Sequence, residues 1–196
     1  MPIPETYSIA KYQLILKPHE DLSDQIALLK REFTKNYNVP TYKSSPNLTL
    51  VKFSLAEVAE QRLINQLRSI ALRLPSFKLE LRDFGSLPSH TIYIKVESQE
   101  PIKEIQLALR DIKALTNIPD HKPHFLNDPF FSLAFKLPSI IYDKAWLEYS
   151  QRPFAGSFIA NRLLLLKKGE SDHSYKVQEE LFFGNKRVSV KQAGLF

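Results

Sequence analysis

A five-residue pattern occurs twice in this chain, as Pro46-Asn47-Leu48-Thr49-Leu50 and as Pro129-Phe130-Phe131-Ser132-Leu133. Both copies read Pro-x-x-[Thr/Ser]-Leu and both head a short β-prone apolar run. Alternation along a strand puts Asn47 and Thr49 on one face, and Phe130 and Ser132 on one face of the other strand. Two strands that each offer a hydroxyl to a shared cleft would hold a phosphate between them. The Asn47 amide can donate and accept hydrogen bonds but does not titrate near neutrality, and Phe130 can do neither. Phe130, with Phe131 or Tyr42 nearby in sequence, could supply a stacking face for a base, worth roughly 1–3 kcal/mol. Lys136 shares the parity of Ser132; it reads as a solvated lysine near a strand end, with the rim of the same cleft as the alternative.

The elements that would position these residues follow from hydrophobic period. Tyr7 to Leu16 alternates and predicts a strand ending before Pro18. Leu22, Ile26, Leu29 and Phe33 recur at helical spacing, in a helix that runs out by Asn36 to Pro40. The first motif strand spans Asn47 to Phe53. Ser54-Leu55-Ala56-Glu57 has a capping-box pattern, and the stripe Ala56, Ala59, Leu63, Leu67, Ile70 and Leu74 predicts a long helix stopped by Pro75. Phe77, Leu79 and Leu81 alternate with charges. Asp83-Phe84-Gly85-Ser86-Leu87-Pro88 reads as a turn, and Thr91 to Val96 as the returning strand. Pro101 opens a helix carrying Ile102, Ile105, Leu109 and Ile112. A proline-rich loop with His121 and His124 precedes the second motif strand, Phe130 to Leu137. Pro138 to Gln151 reads as a helix with Ile141, Ala145 and Trp146 inward. Phe158 to Lys167 and Tyr175 to Phe183 read as two closing strands. Helices mixed with hairpins favour an α+β fold with mainly antiparallel sheets over a doubly wound one.

Composition sets the outer bounds. The 196 residues suffice for one domain or for two small lobes sharing a core. Lys and Arg outnumber Asp and Glu by 27 to 21, a mild surplus compatible with nucleotide or RNA partners or with an unspecialised basic surface. The absence of cysteine excludes disulfides, cysteine nucleophiles and cysteine-based zinc sites. No cofactor or metal is expected. No Gly-rich phosphate loop occurs, and His121 and His124 lack acidic or Cys partners at zinc spacing. His90, beside Thr91, points away from it on a strand, so His90, His121 and His124 read as surface histidines. No signal-peptide pattern and no apolar run of spanning length are found, which leads to the expectation of a cytoplasmic protein with no membrane partner. Nothing signals DNA specifically.

The two motif copies resemble the His-x-[Thr/Ser]-x motifs of the two-histidine phosphoesterase superfamily, which includes 2'-5' RNA ligases and cyclic nucleotide phosphodiesterases. Phe77 to Val96 resembles that family's hairpin, and Phe158-Ile159-Ala160-Asn161 through Phe183 its closing strands. The resemblance implies a single bilobal domain over residues 1–196, duplicated, with mainly antiparallel sheets forming a central cleft and helices outside. In the family one His acts as general base and the other as general acid, while the Thr or Ser hydroxyls bind phosphate. Here Asn47 and Phe130 stand at the two histidine positions, and Thr49 and Ser132 survive. The resemblance therefore implies a degenerate catalytic pair and a ligand site built from Asn47, Thr49, Phe130, Ser132 and Tyr42. A nucleotide, an RNA end or another phosphorylated small molecule is the expected partner. Two rival readings remain: an enzyme running a different reaction on His121, His124 or Tyr42, and a protein interaction module in which Phe130 fills the cleft.

Overall fold

Strands with apolar residues on one face, and helices with one apolar stripe, must bury those faces against each other. The computed structural model describes residues 8–40, 45–116 and 122–184. The chain runs through β1 (Ile9–Leu16), α1 (Glu20–Tyr37), β2 (Leu48–Ala56), α2 (Glu60–Ala71), β3 (Phe77–Leu87), β4 (Thr91–Val96), α3 (Gln99–Ala108) and a short α4 (Lys113–Thr116). It continues through β5 (His124–Phe125), β6 (Phe131–Ala134), α5 (Ser139–Tyr149), β7 (Ala155–Ala160), β8 (Arg162–Lys168) and β9 (Lys176–Phe182). The strands form a five-stranded sheet in the order β5-β2-β1-β8-β9 and a four-stranded sheet in the order β6-β4-β3-β7. Their ladders are antiparallel. This is the bilobal α+β architecture that the sequence implied, with the helices outside the sheets.

The helices interlock the lobes. α1 joins two strands of the five-stranded sheet, yet it packs on the four-stranded one. Gly156 of β7 makes room for this, since a Cβ there would meet Leu22 Cδ1 at 2.7 Å. α5 lies beside α1: Tyr37 Oη donates to Glu148 Oε2 at 2.5 Å, and Arg152 donates from both guanidinium arms to Glu32 at 2.9 and 3.1 Å. That fork holds the Glu32 carboxyl below the usual carboxylate range. α2 covers the five-stranded sheet, where Arg68 reaches Glu179 of β9 at 2.8 Å. At the same end Tyr12, wholly buried, donates to Glu60 at 2.6 Å, and Lys167 bridges Glu57 and Glu60 at 2.8 Å each. No helix among the described residues is long and apolar enough to cross a membrane.

Four local expectations change. Ser54, Leu55 and Ala56 do not cap a helix; they extend β2, because Ile9 and Ala10 of β1 pair with Ala56 and Leu55 and hold the backbone extended. Neither Ala56 nor Ala59 caps by its side chain, and Glu57 pairs with Lys167 instead. Asp83 to Leu87 is not a turn but the second half of β3, with Asp83 as a bulge at φ 54°. Phe154 clamps that bulge, its N–H donating to Asp83 Oδ1 at 3.1 Å while Asp83 N–H donates to its carbonyl at 2.9 Å. The run from Phe158 to Lys167 is two strands in different sheets, β7 and β8, separated by Asn161 alone. Finally, His124 lies in a short edge strand paired with β2 rather than in a loop.

Candidate functional site

On β2 the side chains of Leu48, Val51, Phe53 and Leu55 are buried under helices, which leaves Thr49, Lys52 and Ser54 on the opposite face. Thr49 Oγ1 donates to Asn47 Oδ1 at 3.2 Å, and Asn47 Nδ2 donates to the Ser45 carbonyl at 3.0 Å. The amide at the first motif position is thus turned toward the Thr hydroxyl and oriented by its own loop. Across the sheet Thr49 faces Ile15, and Ile15 faces Leu164. Both are buried, at 3% and 5% exposure, yet neither belongs to the contiguous core under the helices. They form an apolar floor beside Thr49 on the second face of the sheet.

The second motif is built on a row of three strands. Gly85 of β3 is the register partner of Tyr93 of β4, and Tyr93 is the partner of Ser132 of β6. The Tyr93 ring lies on Gly85, where a Cβ would sit 2.5 Å from Cζ. Phe130 then covers Tyr93, with ring centroids 4.4 Å apart and planes inclined at 31°. Phe131, by contrast, is buried and belongs to the core with Ile94. Phe130 is only half-buried. The result is a two-ring platform next to the Ser132 hydroxyl. Sequence reasoning misses Tyr93 and Gly85, although Tyr93 has the parity opposite to the buried Ile92 and Ile94.

The structure therefore brings Asn47 to Thr49 on one sheet, and Phe130 and Ser132 to Tyr93 on the other. Tyr42 and His121 lie outside the described residues. Lys136 follows the end of β6, exposed and at φ 52°. His90 is not a strand residue; it sits at the β3–β4 turn at φ 53°, half-buried, with its ring stacked on Tyr142 at 4.9 Å. His124 is exposed and pairs with Lys52, so it shares the face of Thr49. It is displaced from Thr49 by one strand and by roughly 7–10 Å along β2, too far for a hydrogen bond. Among the described residues no cluster of His, Asp and Glu could hold a metal ion. What this arrangement offers is hydroxyls, one amide and an aromatic surface, with no group titrating near neutrality at either motif position.

Comparison with known proteins bears on the fold that carries these residues. E. coli LigT complexed with 3'-AMP is 14% identical over 90% of this chain and 98% of its own, with a TM-score of 0.63. E. coli LigT complexed with phosphate is 15% identical over 91% and 99%, with a TM-score of 0.64. A Thermus thermophilus protein, TT0787, is 15% identical over 90% and 99%, with a TM-score of 0.61. At these identities the likeness speaks to the fold. No curated protein sequence matches the chain. A family model, described as 2'-5' RNA ligase superfamily, matches residues 18–172, a span that contains both motif strands and both aromatic rings of the platform. The chain belongs to the 2'-5' RNA ligase superfamily.

Proposed function

We propose that the chain binds a phosphate-bearing ligand between its two motif strands and does not cleave it by the two-histidine route. The ligand class is a nucleotide, an RNA end or another phosphorylated small molecule. In this reading Thr49, whose hydroxyl turns from Asn47 Oδ1 to the ligand, and Ser132 hold the phosphate, the Asn47 amide adds a donor, and the platform of Phe130 and Tyr93 takes a base. The observation that carries it is the chemistry of the two motif positions: an amide engaged with Ser45 and Thr49, and a phenyl ring resting on Tyr93. A positioned acid or base typically contributes about 10²–10⁴-fold in rate, and neither side chain can supply that contribution. Phe130 is half-exposed on top of another ring, which favours an open platform over a plugged cleft. The offset of His124 along β2 argues against its serving Thr49 as a substitute base. A cytoplasmic location belongs to the same reading, in keeping with a chain that contains no cysteine.

The test uses the full chain with 2',3'-cyclic AMP and a 2'-5'-linked dinucleotide as substrates, and 3'-AMP and inorganic phosphate as binding probes. The expected outcome is no hydrolysis above background, and calorimetric binding of both probes that Thr49→Val and Ser132→Ala each weaken. The double variant Asn47→His with Phe130→His is expected to gain metal-independent hydrolysis. Robust turnover by the unaltered chain would overturn the loss of catalysis. Unchanged phosphate binding in both hydroxyl variants would overturn the site.

A further inference from the structure

A cavity of about 300 Å³ opens between the second half of α1 and β6 with the turn that follows it. That is the lower end of the ~300–1,000 Å³ range of small-molecule sites, which are mostly apolar with a few placed polar groups. The walls fit this description, being formed chiefly by Phe33, Val39, Leu133, Ala134, Leu137 and Pro138. Two lysines, Lys30 and Lys136, also line it, and no acidic side chain does so among the described residues.

Lys30 is the informative group. It is half-buried, and among the described residues no acid, carbonyl or hydroxyl pairs with its ammonium. Burial pushes it below the usual lysine range. A desolvated cation without a partner is unfavourable, and an arriving anion removes that deficit. Lys136 stands at the other side in a left-handed backbone conformation, φ 52°, which is strained for a residue with a Cβ. Its turn is held in that conformation by His90: Leu137 N–H donates to the His90 carbonyl at 3.1 Å, and His90 Nδ1 lies 3.1 Å from the Leu137 carbonyl. A strained position stabilised by its neighbours, beside an apolar cavity, is a pattern found at ligand sites.

We propose that this cavity binds a small apolar carboxylate, of the medium-chain acyl or aryl acid class. The carboxylate pairs with Lys30, Lys136 adds positive charge at the mouth, and the apolar body lies against Phe33, Leu133 and Leu137. The site borders the second motif at Ser132 but does not rest on the phosphate reading.

The full chain is titrated calorimetrically with octanoate and, as an uncharged counterpart, octanol. Octanoate is expected to bind. Lys30→Met is expected to weaken it by roughly tenfold or more while leaving octanol unchanged, because only the charged head loses its partner. Thr34→Trp, a half-exposed helix position on the cavity wall, is expected to abolish both. Independently of any variant, octanoate added to methyl-labelled wild-type protein should shift the Val39, Leu133 and Leu137 methyl signals. The proposal is overturned by no octanoate binding at millimolar concentration, by Lys30→Met binding octanoate as well as wild type, or by methyl shifts confined to other parts of the fold. It is also overturned if Lys30→Met loses 3'-AMP and octanoate together, since Lys30 would then serve the phosphate cleft. Lost 3'-AMP binding in Thr49→Val with octanoate unaffected keeps the two sites separate.

Discussion

Gly85→Ala tests the aromatic platform without substituting either ring. The added Cβ would stand 2.5 Å from Cζ, 2.6 Å from Oη and 2.7 Å from Cε2 of Tyr93. Ordinary contact distances are about 3.5–4.0 Å, so the ring must move by about 1 Å or swing away. Tyr93 is half-buried and clashes only through the far end of its side chain, so the backbone of β3 need not shift. The stability loss is then chiefly the contact with Phe130, about 0.5–1.5 kcal/mol. For a chain of this length that lowers the melting temperature by about 2–4 °C per kcal/mol. If the platform takes a base, the loss in 3'-AMP binding is larger: about 1–3 kcal/mol of stacking, or roughly 5- to 150-fold in affinity. Inorganic phosphate, which has no base, should bind Gly85→Ala as it binds wild type. Calorimetry with both probes reads the difference, and near-UV circular dichroism reports the displaced rings. Equal weakening of both probes would refute the argument, as would unchanged 3'-AMP affinity despite an altered aromatic spectrum.

Other expectations follow from the packing. Phe131→Ala removes a core side chain at 1% exposure and should cost about 3–5 kcal/mol in urea unfolding, in contrast to Phe130→Ala, which should cost far less. Tyr12→Phe deletes a buried hydroxyl donating to Glu60 at 2.6 Å; a loss of about 1.5 kcal/mol is expected, since Lys167 and Gln178 still hold that carboxylate. Lys167→Met should flatten the acid side of the stability curve. The hydrogen bond from Lys167 holds Glu57 below its ordinary 4.5, so this contribution is full above that pH and is lost as pH falls through the folded value. The gap between wild type and variant should therefore narrow on acidification, and a widening gap would contradict the assignment. Lys30→Met, which removes a half-buried cation unpaired among the described residues, should raise the urea midpoint, and a clear drop would mean that the ammonium has a stabilising partner.

Much of the site's framework was legible because strand parity survives folding: Thr49 and Ser132 do turn away from the helix-covered faces. Helix stripes were equally readable, as Leu22, Ile26, Leu29 and Phe33 all reach the core. The misreadings have one physical origin, in that local chemistry lost to pairing partners far away in sequence. The capping-box residues Ser54 to Glu57 were overruled by β1, and the turn-formers from Asp83 onward were absorbed as a bulge clamped by Phe154. The β7–β8 break was hidden by the unbroken leucine run 163–166. Core positions move from the even Phe158 and Ala160 to the odd Leu163 and Leu165, a phase change that one continuous strand cannot make without a bulge, but with Leu164 and Leu166 also apolar the sequence carries no parity to reveal it. Tyr93 could not be recognised from sequence, because its role depends on Gly85 standing opposite it in register.

Asn161 has a bearing on how the molecule assembles. It alone separates strands of opposite sheets, and the chain also changes sheets after β2, β4 and β5, so neither lobe is a continuous stretch of polypeptide. Cutting the gene anywhere between β3 and β7 would give halves that each lack strands of both layers. Such wiring requires distant segments to meet before any layer closes, which slows the search and ties both layers to a single event. We expect unfolding monitored at Trp146 and by far-UV ellipticity to superimpose, and refolding to be slow for a chain of this size.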